Sequence, residues 1–351
     1  MSLVSRIESL PFLASECILQ SMGIEELLLM ARTSPTLQAL IPFLKLRSGG
    51  FRVHLGFWSR VEIPNYHFTY SRNNYPRPCI EDIDDFLFGC QRLLTGDVEY
   101  LNVCPSLVWE DISGSTNVLA IGQSEEEYGC WERDRIEDVP EADLNYLLDN
   151  IRFKKGLALN GPKELKSEHE KVFAIDWLRL SHTDWVTLDI LNKMRNKIIY
   201  LKWVSLTPQN VNEYLLDLVA GIGNSNLQLI TFHQRWNEIE MQEILNGLEL
   251  VPNQQLQTFE FTEEESKMEM SEFLPTSNYS KVSAKGVEIP ESLDMICEDG
   301  VRRSLVFGQD VMTGIPTMSV FVWTSEGRKR GADEVAEGPS AKRARLNRVE
   351  F

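Results

Sequence analysis

At 351 residues the chain is long enough to bury a sizeable core and to divide into more than one structural unit. Its 52 acidic residues outnumber 35 basic ones, giving a formal net charge of −17, and seven of the basic residues stand after Gly327, so the chain before them is the more acidic part. Such a body repels a phosphate backbone, which disfavours nucleic-acid binding, and no apolar run approaches the roughly 20 residues of a membrane span. Glu8 interrupts any secretory hydrophobic segment at the start. The six cysteines (Cys17, Cys79, Cys90, Cys104, Cys130 and Cys297) are scattered with no CxxC pair. Reduced, mostly buried thiols in a nuclear or cytoplasmic protein are the expectation.

Residues 10–47 hold three short helical patterns. In the first, Leu13, Cys17 and Ser21/Met22 recur at helical spacing, with Ile18 and Leu19 widening the stripe. Ile24, Leu27, Leu28 and Ala31 make the second. Ser34 before Pro35 is a helix start, because the serine can cap orphan N–H groups while proline at the first helical position loses no hydrogen bond. Leu37, Leu40 and Ile41 supply the third apolar face. A unit this small carries more apolar side chains than it can hide, so either a partner or the rest of the chain must cover them.

Leu10-Pro11, Ile18-Leu19, Met22, Leu27-Leu28, Ser34 and Leu37 through Ile41 resemble an F-box, with Pro35 standing where many members have a basic residue. The resemblance implies docking on the Skp-type adaptor of a cullin-RING ligase core. Its contact residues would be Leu10, Pro11, Ile18, Leu19, Met22, Leu27, Leu28, Ser34, Leu37 and Ile41.

The body, residues 51–324, carries six strand-like tetrads with apolar second and fourth positions: YLNV (100–103), GLAL (156–159), WLRL (177–180), YLKW (200–203), LITF (229–232) and TFEF (258–261). The first interval equals about two later ones, which fits an irregular array with an insertion. Helical patterns fill the gaps: Ile83 to Leu94, Leu144 to Leu148, Val211 to Ile222 behind Thr207-Pro208, and Met241 to Leu248. Strands alternating with helices imply a parallel sheet, either open or coiled as a leucine-rich-repeat-like solenoid. YLKWVSLTPQN, ending at Asn210, comes nearest to a leucine-rich repeat. The acidic stretches 123–143 and 263–272 are expected to be loops. RRSLVF (302–307) and TMSVFVW (317–323) read as a hairpin at the end of the array. The fold class is therefore α/β, or α+β overall: a three-helix head (1–50), an irregular βα-repeat body with a C-terminal hairpin (51–324), and a disordered tail (325–351). The order of parts, with Asp299-Gly300 followed by basic residues and a last strand ending at Trp323, is similar to the large nematode families of F-box proteins with an F-box-associated region.

Period-two alternation turns positions one and three of each tetrad away from the core. Trp177, Arg179, Tyr200 and Lys202 would then form an aromatic, cationic target-binding patch suited to an acidic partner. In the tail, Arg328-Lys329-Arg330 and Lys342-Arg343-Ala344-Arg345 flank an eleven-residue spacer and resemble a bipartite nuclear-import signal, implying an import receptor as partner. No GxxxxGK[ST], HExxH or GxSxG string occurs, and the five histidines show no metal-ligand spacing. Gly221-Ile222-Gly223 reads as a helix cap, and Ser181, His182 and Asp184 as loop neighbours rather than a triad. The expectation is a non-catalytic substrate-recruiting adaptor of an SCF-type ubiquitin ligase, without cofactor or metal. An interaction scaffold independent of the F-box and an enzyme with an unrecognised site are the alternatives.

Overall fold

The computed structural model describes residues 6–7, 9–23, 26–27, 30, 33–40, 50–55, 60–63, 68–71, 98–103, 114–122, 139–160, 167–262, 281–283, 286–309 and 315–323. The protein is mixed α/β and divides into two compact units, Met1–Pro162 and Lys163–Phe351, so the division falls inside the stretch read from sequence as one body. The helical pattern at 83–94, most of the acidic stretch 123–143, all of 263–272 and the tail lie outside the described residues.

In the first unit, helices α1 (Phe12–Gln20) and α2 (Pro35–Leu40) precede strands β1 (Phe51–Leu55), β2 (Arg60–Ile63), β3 (Phe68–Ser71), β4 (Val98–Val103), β5 (Gly114–Ile121) and β6 (Ile151–Asn160), with helix α3 (Glu141–Asn150) before the last. The strand order is β6-β5-β4-β1-β2-β3; β1, β4, β5 and β6 run parallel, and β2 and β3 add an antiparallel meander at one edge. Sequence reading missed β5. Its Val118-Leu119-Ala120-Ile121 is the tetrad that fills the double-length interval, pairing YLNV on one side and GLAL on the other. Helix α3 starts at Glu141, directly after Pro140, and buries Leu144, Leu147 and Leu148.

The second unit repeats the device. Strands β7 (Trp177–Ser181), β8 (Ile198–Lys202) and β9 (Leu229–His233) lie parallel in chain order, linked by α4 (Leu188–Lys193) and α5 (Pro208–Val219). Successive right-handed crossovers that advance one strand each time put their helices on the same face. Accordingly α4 touches α5, and α5 touches α6 (Glu238–Ile244). Thr207 and Asn210 form a reciprocal capping box at the start of α5, which buries Val211, Tyr214, Leu215 and Leu218. Asn210 therefore caps a helix and is no repeat asparagine. Gly221 (φ +71°) closes the helix, with Ile222 N–H donating to Asp217 O, as the glycine pair suggested.

The asparagines that stitch the repeats stand before the strands instead. Asn196 Nδ2 donates to Val172 O (3.0 Å) and Ile175 O (2.7 Å), and Asn224 Nδ2 donates to Asn196 O (2.8 Å). Each reaches one repeat back and satisfies carbonyls that the ladder leaves unpaired.

Beyond β9 the sheet turns antiparallel. Strands β15 (Arg302–Gln309) and β16 (Pro316–Trp323) form the expected hairpin, and β16 pairs with β9. Strands β14 (Ser292–Met295) and β10 (Leu250–Asn253) follow outward. The TFEF tetrad is a correction: β11 (Gln257–Glu260) leaves the parallel array and pairs antiparallel with β13 (Gly286–Ile289), itself paired with β12 (Lys281–Ser283), in a separate three-stranded sheet. Phe259 of that sheet packs edge-on against Phe321, with ring centroids 4.9 Å apart. Arg302 donates to Asp294 Oδ2 (3.0 Å) and to Gln257 Oε1 (2.8 Å), while Ser304 Oγ donates to Asp294 Oδ1 (2.6 Å), tying β11 to β14 and β15.

Candidate functional site

In the head, the period-3.6 stripe of α1 is divided between interior and surface. Leu13 is 72% exposed and Cys17 is exposed, whereas Leu19 is 1% exposed and Ser15 Oγ donates to Ile7 O within the interior. Leu10, Pro11 and Ile18 face water. Leu19, Leu27 and Leu37 are buried, so as they stand they belong to the interior and not to an open contact surface; Met22 is half-buried. Ser34, also buried, accepts a hydrogen bond from Leu37 N–H (3.1 Å), the cap that Ser-Pro announced. Leu28 and Ile41 lie outside the described residues, as do Arg328, Lys329, Arg330, Lys342, Arg343 and Arg345. Leu13, the most open large apolar side chain among the head's described residues, was missed because stripe counting alone cannot tell which of two apolar faces is covered.

On the sheet, register sorts the side chains into two faces. One carries the rows Leu178, Ile199, Ile230, Val320 and Leu180, Leu201, Phe232, Met318, all buried. The other carries Arg179, Tyr200, Thr231, Ser319 and Ser181, Lys202, His233, Thr317. Alternation thus placed Trp177, Arg179, Tyr200 and Lys202 on the second face correctly. That face, however, is not open. Trp177 and Lys202 are each 2% exposed and Tyr200 is 4%, with Arg179 half-buried. Parallel strands are characteristically covered on both faces, and the exposed target-binding patch is corrected on that ground.

What the second face holds is a buried polar network. Tyr200 Oη lies 2.6 Å from His233 Nδ1, Thr231 and Ser319 hydroxyls are 2.9 Å apart, and the Arg179 guanidinium sits 5.2 Å from the Tyr200 ring centre. Inside a low-dielectric interior these bonds offset the cost of burying polar groups and fix one register.

On the helix face, Arg303 (6% exposed) is gripped by Asp299, with Nη1 to Oδ1 at 2.8 Å and Nη2 to Oδ2 at 2.7 Å. The hydrogen bond from Arg303 holds the Asp299 carboxyl below the usual carboxylate range. Burial pushes the Tyr214 hydroxyl well above its ordinary value, with Arg195 and Arg303 pulling the other way. Asp299 lies at the turn that Gly300 (φ +71°) makes, and the Asp-Gly-basic run serves this ion pair.

Ser181 Oγ is buried with no hydrogen-bond partner among the described residues, and Asp184 Oδ1 accepts from Ser205 Oγ (3.0 Å), so these neighbours form no triad with His182. Among the described residues no group of three or more His, Cys, Asp or Glu could hold a metal ion, and no helix is long and apolar enough to cross a membrane. No protein-family model, curated protein or solved structure matches the chain.

Proposed function

We propose that the chain is a substrate-recruiting adaptor of an SCF-type cullin-RING ubiquitin ligase, with the head acting as an F-box on a Skp-type adaptor and the body presenting a target. The observation that carries this reading is the surface of the head. Leu10, Leu13 and Ile18 are 40%, 72% and 37% exposed on or beside a nine-residue helix whose Leu19 is buried. Exposed apolar side chains on a small helical unit are what an adaptor-docking surface requires. The sequential parallel strands and the asparagine stitching support a leucine-rich-repeat-like body, a form that offers one long face for a protein partner. The tail's two basic clusters support nuclear import of the assembled adaptor.

The test is co-purification of the ligase core from cells with Leu13→Asp combined with Ile18→Asp. Both side chains are exposed, so the chain stays folded while recovery of the core falls at least tenfold, about 1.4 kcal/mol. Undiminished recovery overturns the adaptor reading in favour of a scaffold that works without the F-box. For the tail, a reporter fused to residues 325–351 accumulates in nuclei, and Lys342→Ala with Arg343→Ala reduces that accumulation.

A further inference from the structure

Among the described residues, five of the second unit's six exposed large apolar side chains stand on three neighbouring segments. Leu216 and Ile222 belong to residues 208–223, Ile239 and Val251 to residues 238–251, and Ile296 to residues 294–301. The segments touch in a closed circuit. Asn212 Nδ2 of α5 donates to Ile244 O (2.7 Å) and Asn246 O (2.8 Å), Ile296 N–H donates to Glu249 O (3.1 Å), and Glu298 N–H donates to Val219 O (2.9 Å). Together they hold nine acidic residues and no lysine or arginine. Asp294 and Asp299 answer the neighbouring Arg302 and Arg303, so the surplus of the surface stays negative. The carbonyl end of α5 adds its partial negative charge at the same place.

We infer that this surface docks the chain's own C-terminal segment, residues 342–351. Exposed apolar side chains set among charges of one sign fit a segment that is apolar and of the opposite sign. KRARLNRVEF is such a segment: Lys342, Arg343, Arg345 and Arg348 are interleaved with Leu346, Val349 and Phe351, and Glu350 is its single acid. The chain also leaves the described fold beside the surface, because Trp323 pairs with Arg302, the residue that follows the 294–301 segment. The 18 residues between Trp323 and Lys342 reach up to about 60 Å when extended, ample for a return to it. A tethered segment meets its site at an effective concentration on the order of millimolar, so modest contacts suffice. The same face of a second copy is a poor occupant, since two acidic surfaces repel. Docking stands on this geometry alone; that it withholds Lys342, Arg343 and Arg345 from an import receptor rests on the import reading of the tail.

The test is zero-length carbodiimide cross-linking of the dilute full chain, read by mass spectrometry, beside limited trypsin digestion. Lys342 is expected to join carboxylates of the three segments, such as Glu249 and Glu298, within one chain. In Ile222→Gln/Ile296→Gln, at positions 74% and 54% exposed, those cross-links fall roughly fivefold or more while thermal unfolding is unchanged. In the same variant trypsin cuts after Arg343 and Arg345 roughly fivefold faster or more, while cuts after Arg328 and Arg330 keep their rate. Leu346→Gln/Val349→Gln, which leaves the described fold untouched, has the same two effects. The reporter fused to residues 325–351 lacks the body surface, so failure of import there and failure of docking here are read separately. Absence of cross-links from Lys342, cross-links only to other carboxylates or only between two chains, or digestion rates equal in the variants and the unaltered chain overturns the inference.

Discussion

The parallel strands of the two units are alike on one face and differ on the other. In the first unit, Val53, Leu101, Leu119, Leu157 and Leu55, Val103, Ile121, Leu159 make two apolar rows; in the second, Leu178, Ile199, Ile230 and Leu180, Leu201, Phe232 make the same two rows. The opposite faces diverge. Residues Val118, Ala120, Gly156 and Ala158 line it in β5 and β6, while Arg179, Tyr200, Lys202, Thr231 and His233 line it in β7 to β9. One face is set by a rule common to every strand of a core, and the other by what each unit has to cover or bind. The second unit meets its task with hydrogen bonds, which demand mutual geometry; in the first, β5 and β6 use small side chains, which do not, while Arg52, His54, Tyr100 and Asn102 occupy the same face of β1 and β4.

The comparison breaks if the shared face is not equivalent in energy. Leu119→Ala and Leu201→Ala, both fully buried, should each destabilise by about 3 kcal/mol in urea unfolding. A large inequality would mean that the rows only look alike. Asp299→Asn comes next, because it leaves Arg303 buried with its charge partner gone; a loss of roughly 2–3 kcal/mol is expected, below the full figure for a buried pair since Asp299 is partly exposed. The same pair sets an acid limit. A carboxyl whose folded pKa is lowered adds stability that is fully present above the unfolded value, about 3.9, and is lost as pH falls through the folded value. Acid unfolding of Asp299→Asn should accordingly be less steep below about pH 4 than that of the unaltered chain.

The polar face gives a sharper contrast. Tyr200→Phe removes the hydroxyl facing His233 Nδ1 and should cost about 1–2 kcal/mol by thermal unfolding. Thr231→Val and Ser319→Ala should each cost about 1 kcal/mol alone, and less than their sum together, since removing both partners leaves neither hydroxyl stranded. Strict additivity would show that the face is a set of separate contacts instead of a network. Leu13→Ala, at 72% exposure, should change stability by less than about 0.5 kcal/mol, which marks the head surface as free for docking.

Much of this was legible in the chain. The tetrads WLRL, YLKW and LITF became three consecutive parallel strands, Thr207-Pro208 and Ser34-Pro35 started helices, and the two late β-rich runs paired as a hairpin, because each of these signals is local and is satisfied by neighbours a few residues away. VLAI in β5 escaped because Ser115 to Asn117 before it carry no apolar alternation, and TFEF misled because a tetrad does not say which sheet receives it.

What the sequence by itself determined is the alternation within each strand, the caps, and the sign and spread of charge, all properties of a residue and its near neighbours. Only the tertiary structure decided which face is open. Trp177, Tyr200 and Lys202 obey the period-two rule and are nonetheless buried, while Trp203, one step past the strand in a left-handed conformation, is half open beside Arg235. Alternation has two faces and no preference between them; burial depends on what other segments bring against each face, and those contacts lie tens of residues away in the chain.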